Sequence, residues 1–135
     1  MTKKRVYVAF DYDDLDVKQN LIQQSKLPDC PFKLVDSSIA QAVPHNWTQE
    51  ARKLISESAC VIVLCGEQTH QSKGVFTELQ IAQELGKPYF LLSATRASTP
   101  TRPKNARSTD RIWTFRWPTV AALLEGRTPP ADATV

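Results

Sequence analysis

Hydrophobic residues occur along this chain in short apolar runs that alternate with segments of helical periodicity. The runs are rich in β-branched and aromatic residues, which is typical of strands. Between them, apolar residues recur every three or four positions, as on the buried face of an amphipathic helix. Five strands are predicted, over Arg5–Phe10, Phe32–Asp36, Ala59–Cys65, Lys87–Leu92 and Ile112–Phe115.

Helices are predicted in the segments that connect these strands. Polar residues that can cap a helix precede the apolar stripes, and glycine or proline follows them. The predicted limits are Asp13 or Asp14 to Pro28, Asn46 to Ile55, Ser72 to Gly86, and Pro118 to Leu124. Strands that alternate with helices predict an α/β protein with right-handed crossovers. The simplest such arrangement is a three-layer flavodoxin-like fold, a five-stranded parallel sheet of order 2-1-3-4-5 with helices on both faces.

Length and composition predict one ordinary globular domain. Hydrophobic residues make up 41% of the 135 residues and charged residues 23%, which are common values. Residues 1–126 are expected to form the domain and residues 127–135 a disordered tail. The longest apolar run, Ala59–Cys65, is long enough for a strand but too short to span a membrane. The basic N-terminus lacks the apolar core of a signal peptide, so a cytoplasmic location is expected.

Charge and cysteine content narrow the classes of partner. The three cysteines show no CxxC spacing, so neither a disulfide framework nor a metal site is predicted. The net charge of +3 comes largely from the segment Arg96–Arg116. Aromatic residues do not interleave with these cations in the loop itself, so nucleic-acid binding is not predicted. The irregular stretch Ser93–Arg111 is long for a compact domain. We interpret it as a solvated loop or as a contact for a phosphate-bearing ligand or an acidic partner.

Ligands of open parallel sheets bind over the carboxyl ends of the strands. In the predicted order, that cleft is bordered by Asp11–Asp14, Asp36–Ser38 and Gly66–Glu78. The chain has no GxGxxG, GxxxxGK[ST] or GxSxG motif, which argues against a Rossmann phosphate loop, a P-loop and a hydrolase elbow. Response-regulator chemistry also fails, because the third strand ends in Cys65 and Gly66 without an aspartate. Glu78 has two interpretations, a catalytic acid in this cleft or an exposed glutamate that favours the helix dipole.

Several motifs together resemble one known family. They are Arg5–Tyr12, Asp36–Ser38, Trp47, Val61–Thr69, Ser72–Ala82 and Gly86–Pro88. In order and spacing, roughly from Lys4 to Phe115, the chain resembles the TIR-like proteins of the bacterial Thoeris type. These proteins are relatives of Toll/interleukin-1 receptor domains.

The resemblance implies a flavodoxin-like fold and cleavage of NAD⁺ at the nicotinamide–ribose bond. NAD⁺ would be the substrate and no further cofactor is implied. Glu78 matches the family's catalytic glutamate, whose carboxylate would stabilise an oxocarbenium-like ribose. The product would be ADP-ribose, a cyclic isomer or a conjugate that signals to a separate effector in antiphage defence. The expected substrate-binding residues are Phe10, Asp11, Tyr12, Asp36, Ser38, Thr69 and Ser72.

Two other functions remain open at this point. Relatives usually have tryptophan two residues after the helix-capping serine, where this chain has Gly74. A non-catalytic signalling module that acts by protein contact is compatible with that departure, and TIR domains commonly self-associate. A nucleotide sensor that binds without turnover is the third interpretation. Ser38 and Ser72 also fit roles as cap or turn residues.

Overall fold

The computed structural model describes residues 4–10, 16, 19, 20, 23, 32–35, 47–93 and 100–127. Its strands are β1 Lys4–Ala9, β2 Phe32–Val35, β3 Cys60–Cys65, β4 Tyr89–Ser93 and β5 Ile112–Trp113. Every neighbouring pair is parallel, in the order β2-β1-β3-β4-β5. The predicted α/β class with a parallel sheet is therefore confirmed.

The strand at the β5 edge is shorter than the sequence pattern predicts. Only Ile112 and Trp113 pair with β4, opposite Leu91 and Leu92. The expected continuation through Phe115 is not strand. The next helix begins at Trp117, so the chain has only a few residues in which to leave the sheet edge.

The helices are α1 Trp47–Ser56, α2 Lys73–Glu84 and α3 Trp117–Leu124, and a short 3₁₀ turn covers Thr69–Gln71. Helix α2 begins as predicted, because the Ser72 side chain accepts a hydrogen bond from the Val75 amide at 3.2 Å. It ends at Gly86, whose φ of +67° is accessible to glycine at little cost. The Gly86 and Lys87 amides donate to Gln83 and Ala82 carbonyls, the pattern of a Schellman cap. The helix predicted between Asp14 and Pro28 is helical at the four positions described there, and its remainder lies outside the described residues.

Successive side chains of each strand point to opposite faces of the sheet. One face, here called the α1/α2 face, buries Tyr7, Ala9, Val61, Val63, Cys65 and Leu91 with residues of helices α1 and α2. The other, the α3 face, buries Val6, Val8, Ile62, Leu64 and Leu92 with Val120 and Leu124 of helix α3. Helices therefore pack on both faces, as predicted.

The described part of the long polar segment, residues 100–111, has no helix or strand but many hydrogen bonds. Thr101 Oγ1 donates to the Gly66 carbonyl at 2.8 Å, and Asn105 Nδ2 donates to the Phe76 carbonyl at 2.9 Å. The Arg102 guanidinium donates to the carbonyls of Arg107 and Asp110. Arg102 thus forms hydrogen bonds within the segment, whereas the side chains of Lys104, Arg107 and Arg111 are exposed.

Within the part of the chain that the structure describes, none of the helices combines the length and the apolar character needed to cross a bilayer. The proposed boundary between the domain and the tail at residue 127 remains a prediction. Residues 128–135 lie outside the described part.

Candidate functional site

Glu78 lies in the second turn of α2 and is only 5% exposed. It shares one helical stripe with Val75, Leu79 and Ala82, all of which are buried on the α1/α2 face. The alternative interpretation as an exposed glutamate in the first turn is therefore wrong. Glu78 is the sixth residue of the helix, and the amide near the helix start is capped by Ser72 instead.

The Glu78 carboxylate accepts a hydrogen bond from the phenol of Tyr7 through Oε2. Tyr7 lies on β1 and is fully buried. Its backbone is held on both sides, because it pairs with Val35 of β2 and Val61 of β3. The structure thus places a carboxyl group and a phenol together inside an otherwise largely apolar layer. Burying such groups is unfavourable unless they are hydrogen-bonded.

The sequence analysis did not identify Tyr7 as a site residue. A signal was present, because Tyr7 faces the same side of β1 as Ala9, while Val6 and Val8 face the other. A buried tyrosine usually finds a hydrogen-bond partner for its hydroxyl. Glu78 falls on the buried stripe of a helix that follows β3, the neighbour of β1. The sequence pattern allows several such pairs, and the three-dimensional structure is needed to show that Tyr7 contacts Glu78.

The loop between β3 and α2 is held by its own side chains. Thr69, predicted to bind substrate, is 1% exposed. Its hydroxyl accepts from the Gly66 amide at 2.8 Å and donates to the Leu64 carbonyl at 3.3 Å. Thr69 thus fixes the loop on which the start of α2 depends, and its hydroxyl is already used in doing so.

A second connection joins this loop to the segment 100–111. The Thr101 hydroxyl accepts from the His70 amide at 3.0 Å and lies 3.1 Å from His70 Nδ1. Because the same hydroxyl donates to the Gly66 carbonyl, both of its contacts with His70 are satisfied when Nδ1 carries a proton. The segment 100–111 therefore supports the loop that leads into α2.

An open groove of about 340 Å³ lies beside the start of α2. It is lined by His70, Gln71, Ser72, Lys73, Phe76, Thr77 and Lys104. Phe76 is 38% exposed and supplies the aromatic side chain of this groove. Glu78 is not among the lining residues, so the groove and the buried acid are separate features.

The predicted substrate-binding residues are only partly brought together. Phe10 follows β1 and packs against the α3 face, so it lies on the opposite side of the sheet from Glu78. A ligand over the carboxyl edge of the sheet would have to reach across that edge to contact both. Four of the predicted residues lie outside the described part of the chain: Asp11, Tyr12, Asp36 and Ser38.

The sequence model of the Thoeris protein ThsB, TIR-like domain, matches residues 7–98. This chain belongs to that family. The match begins at Tyr7 and includes Glu78, so both members of the buried pair lie within the ThsB TIR-like region. The segment 100–111, β5 and α3 lie after it. The family assignment is compatible with defence signalling, and TIR-like domains can be NADases and commonly self-associate.

The fold of this ThsB-type domain is similar to that of a prokaryotic SEFIR domain whose crystal structure is known. The TM-score is 0.58 at 11% sequence identity, over 92% of this chain and 89% of the SEFIR chain. At that identity the likeness concerns the fold alone. None of the curated proteins matches the chain in sequence.

Gly74, where the family resemblance led us to expect tryptophan, is not required by the backbone of this ThsB-type domain. A Cβ atom added there would meet only Ser72 Oγ, at 3.9 Å, which is ordinary van der Waals contact. The Cβ atom of a larger residue can therefore be accommodated at position 74 without a steric conflict. The absence of the tryptophan is a property of this sequence and not a demand of its fold.

Proposed function

We propose that this TIR-like domain cleaves NAD⁺ at the nicotinamide–ribose bond and that Glu78 is its catalytic residue. The product is an ADP-ribose-derived signal, linear or cyclic, used in antiphage defence. The observation that carries the proposal is the burial of Glu78 on the core stripe of α2, hydrogen-bonded to Tyr7. A buried carboxyl group contributes little to the stability of a fold, whereas titratable groups in such perturbed environments cluster at functional sites.

The chemistry suits a single carboxylate. When the bond between ribose C1′ and the pyridinium nitrogen breaks, its electron pair goes to nitrogen and neutral nicotinamide leaves. Positive charge then develops on the ribose, and a carboxylate beside it stabilises that charge most strongly where water is excluded. Attack of water on C1′ gives ADP-ribose and a proton, whereas attack by a nitrogen of the adenine gives a cyclic product.

Access of the substrate to Glu78 from the carboxyl edge of the sheet is part of this proposal. On the α1/α2 face, Ala9 is the β1 residue that follows Tyr7 towards the carboxyl edge, and it pairs with Val63. Its methyl side chain adds little bulk between the carboxylate and that edge. The loops after β1 and β2, which carry Asp11, Tyr12, Asp36 and Ser38, are proposed to complete the pocket. Amides of the Thr69–Ser72 loop and the start of α2 are proposed to hold the diphosphate.

Replacing Glu78 by glutamine tests the proposal, with Glu84→Gln as the matched control. Both residues are on α2, but Glu84 is exposed and contacts Arg52 at 2.9 Å. The variants and the wild type are incubated with NAD⁺ at high protein concentration, because TIR-like domains self-associate. Nicotinamide release and the mass of the second product are followed by chromatography and mass spectrometry.

We expect wild-type turnover from Glu84→Gln and a loss of about a hundredfold or more from Glu78→Gln. Retained turnover in a Glu78→Gln protein that is folded by circular dichroism would refute the assignment of Glu78. Nucleotide binding without turnover in the wild type would favour the sensor.

The exposed surface beside α2 supports a second candidate function, a non-catalytic signalling module. Phe76 is exposed and lines the groove together with Lys73 and Lys104, a combination that suits an acidic protein partner with an apolar contact. This function predicts a complex that weakens as the salt concentration rises, in a protein that releases no nicotinamide.

A further inference from the structure

We infer that Tyr7 is a positioning residue of the candidate site, and that its phenol orients the Glu78 carboxylate and favours its charged form. The inference deepens the proposed function and rests on it wherever turnover is measured. It starts from one contact, the hydrogen bond from the Tyr7 phenol to Glu78 Oε2, which joins residues 71 positions apart in sequence.

Tyr7 is well suited to fix a partner because its own place is determined by the sheet. β1 lies between β2 and β3, and Tyr7 is paired on both sides and fully buried. A glutamate side chain has three rotatable bonds and loses substantial conformational freedom when it is ordered. A donor at a fixed position selects one orientation before the substrate arrives, and such preorganisation lowers the reaction barrier.

The same contact acts on the charge of the carboxyl group. Burial disfavours the charged form of any carboxylic acid, whereas a hydrogen-bond donor to the carboxylate favours it. A carboxylate that stabilises a cation must be charged in the working pH range. Loss of the phenol therefore shifts the ionisation of the site towards higher pH.

The described elements that pack on this face bring few other titratable groups to it. α1 contributes the apolar side chains of Ala51, Leu54 and Ile55 to the α1/α2 face, while its charged residues Glu50, Arg52 and Lys53 are exposed. The segment 100–111 contributes Ala106. The other titratable groups on the face are the Cys65 thiol of β3 and the Tyr89 phenol of β4. Tyr89 donates to Asp110 at 2.5 Å, so its hydroxyl proton is used elsewhere.

The experiment compares Tyr7→Phe with Tyr89→Phe as the matched control. Each change removes one phenol oxygen that donates to a carboxylate, but only the first touches Glu78. For Tyr7→Phe we expect kcat for NAD⁺ cleavage to fall by about tenfold to a hundredfold, as for a lost hydrogen bond to a charged group. KM should change little, and the acid limb of the pH–rate profile should move to higher pH. Tyr89→Phe should leave kcat and the profile as in the wild type.

A readout without turnover keeps this inference separate from the proposed function. The Glu78 carboxyl carbon is followed by ¹³C NMR during a pH titration, and its signal is assigned by its loss in Glu78→Gln. Tyr7→Phe should raise the titration midpoint of this signal, and Tyr89→Phe should leave it unchanged.

Each outcome decides one of the two ideas. If Glu78→Gln is inactive but Tyr7→Phe matches the wild type in kcat and pH profile, the proposed function stands and the role of Tyr7 is overturned. If the wild type shows no turnover, the proposed function fails. The NMR titration then tests Tyr7 independently of turnover. An unchanged midpoint in a folded Tyr7→Phe protein overturns the inference that Tyr7 controls the charge of the Glu78 carboxyl group.

Discussion

The two faces of the sheet are built from alternate residues of the same strands, yet their cores differ. On the α3 face, the core packs apolar side chains such as Val8, Ile62 and Leu64, and none of the described carboxyl groups is buried there. On the α1/α2 face, the neighbouring positions bury Tyr7 against Glu78. The backbone is common to both faces, so the difference arises from the side chains alone.

The α3 face shows that a helix can cover this sheet without a buried carboxyl group among the described residues. A buried carboxyl group loses its hydration, and one hydrogen bond regains only part of that free energy. Apolar side chains of similar shape in place of Tyr7 and Glu78 would therefore leave the protein equally stable or more stable. We interpret the pair as a feature kept for activity, and the faces should respond differently to mutation.

The largest effect is expected on the α3 face. Ile62→Ala should lower the free energy of unfolding by about 2–5 kcal/mol, because it removes packed methylene groups and leaves a cavity in a fully buried site. Urea denaturation measures the change. Ile62→Val, which removes one methylene, is the control and should cost about 0.5–1.5 kcal/mol. A cost for Ile62→Ala no greater than that of the control would mean that this face is not tightly packed.

A double-mutant cycle on the α1/α2 face should give a smaller and non-additive effect. Tyr7→Phe and Glu78→Met each remove one side of the hydrogen bond between the two groups and should cost about 1–3 kcal/mol. The double variant replaces the pair by apolar groups of similar size, so it should be more stable than the sum of the single changes predicts. Denaturation of all four proteins measures the coupling. Additivity within about 0.5 kcal/mol would show that the two groups do not depend on each other.

Local patterns predicted much of the fold but not the pair. The β3 strand and the limits of α2 follow from an apolar run, a capping serine and a terminal glycine, and each of these signals lies within a few residues. The bond between Tyr7 and Glu78 spans 71 positions, and the bonds of Asn105 and Thr101 to the α2 region likewise join distant parts. Such contacts depend on which strands are neighbours, so the family motif predicts Glu78 as the catalytic residue, whereas no local pattern predicts that Tyr7 contacts it.

The smallest effect is expected at the second phenol–carboxylate pair, Tyr89 with Asp110. Tyr89 is only partly buried, and Asp110 Oδ2 also accepts from the Arg107 amide at 2.8 Å. The carboxylate therefore keeps a donor when the phenol is removed, and Tyr89→Phe should cost about 0.5–1.5 kcal/mol at neutral pH.

The pH dependence of this second pair sharpens the contrast between buried and edge sites. Burial, with a further contribution from the hydrogen bond to Asp110, raises the pKa of Tyr89 above its ordinary value of 10.0. Since the folded protein holds the phenol proton more tightly than the unfolded chain, this contribution to stability is complete below pH 10 and declines as the pH rises through the folded pKa. The stability difference between wild type and Tyr89→Phe should therefore shrink above pH 10, measured by denaturation of both proteins at each pH. Other alkaline titrations are common to the two proteins, so a difference that stays constant from pH 7 into this range would show that the Tyr89 proton is held no more tightly in the folded state.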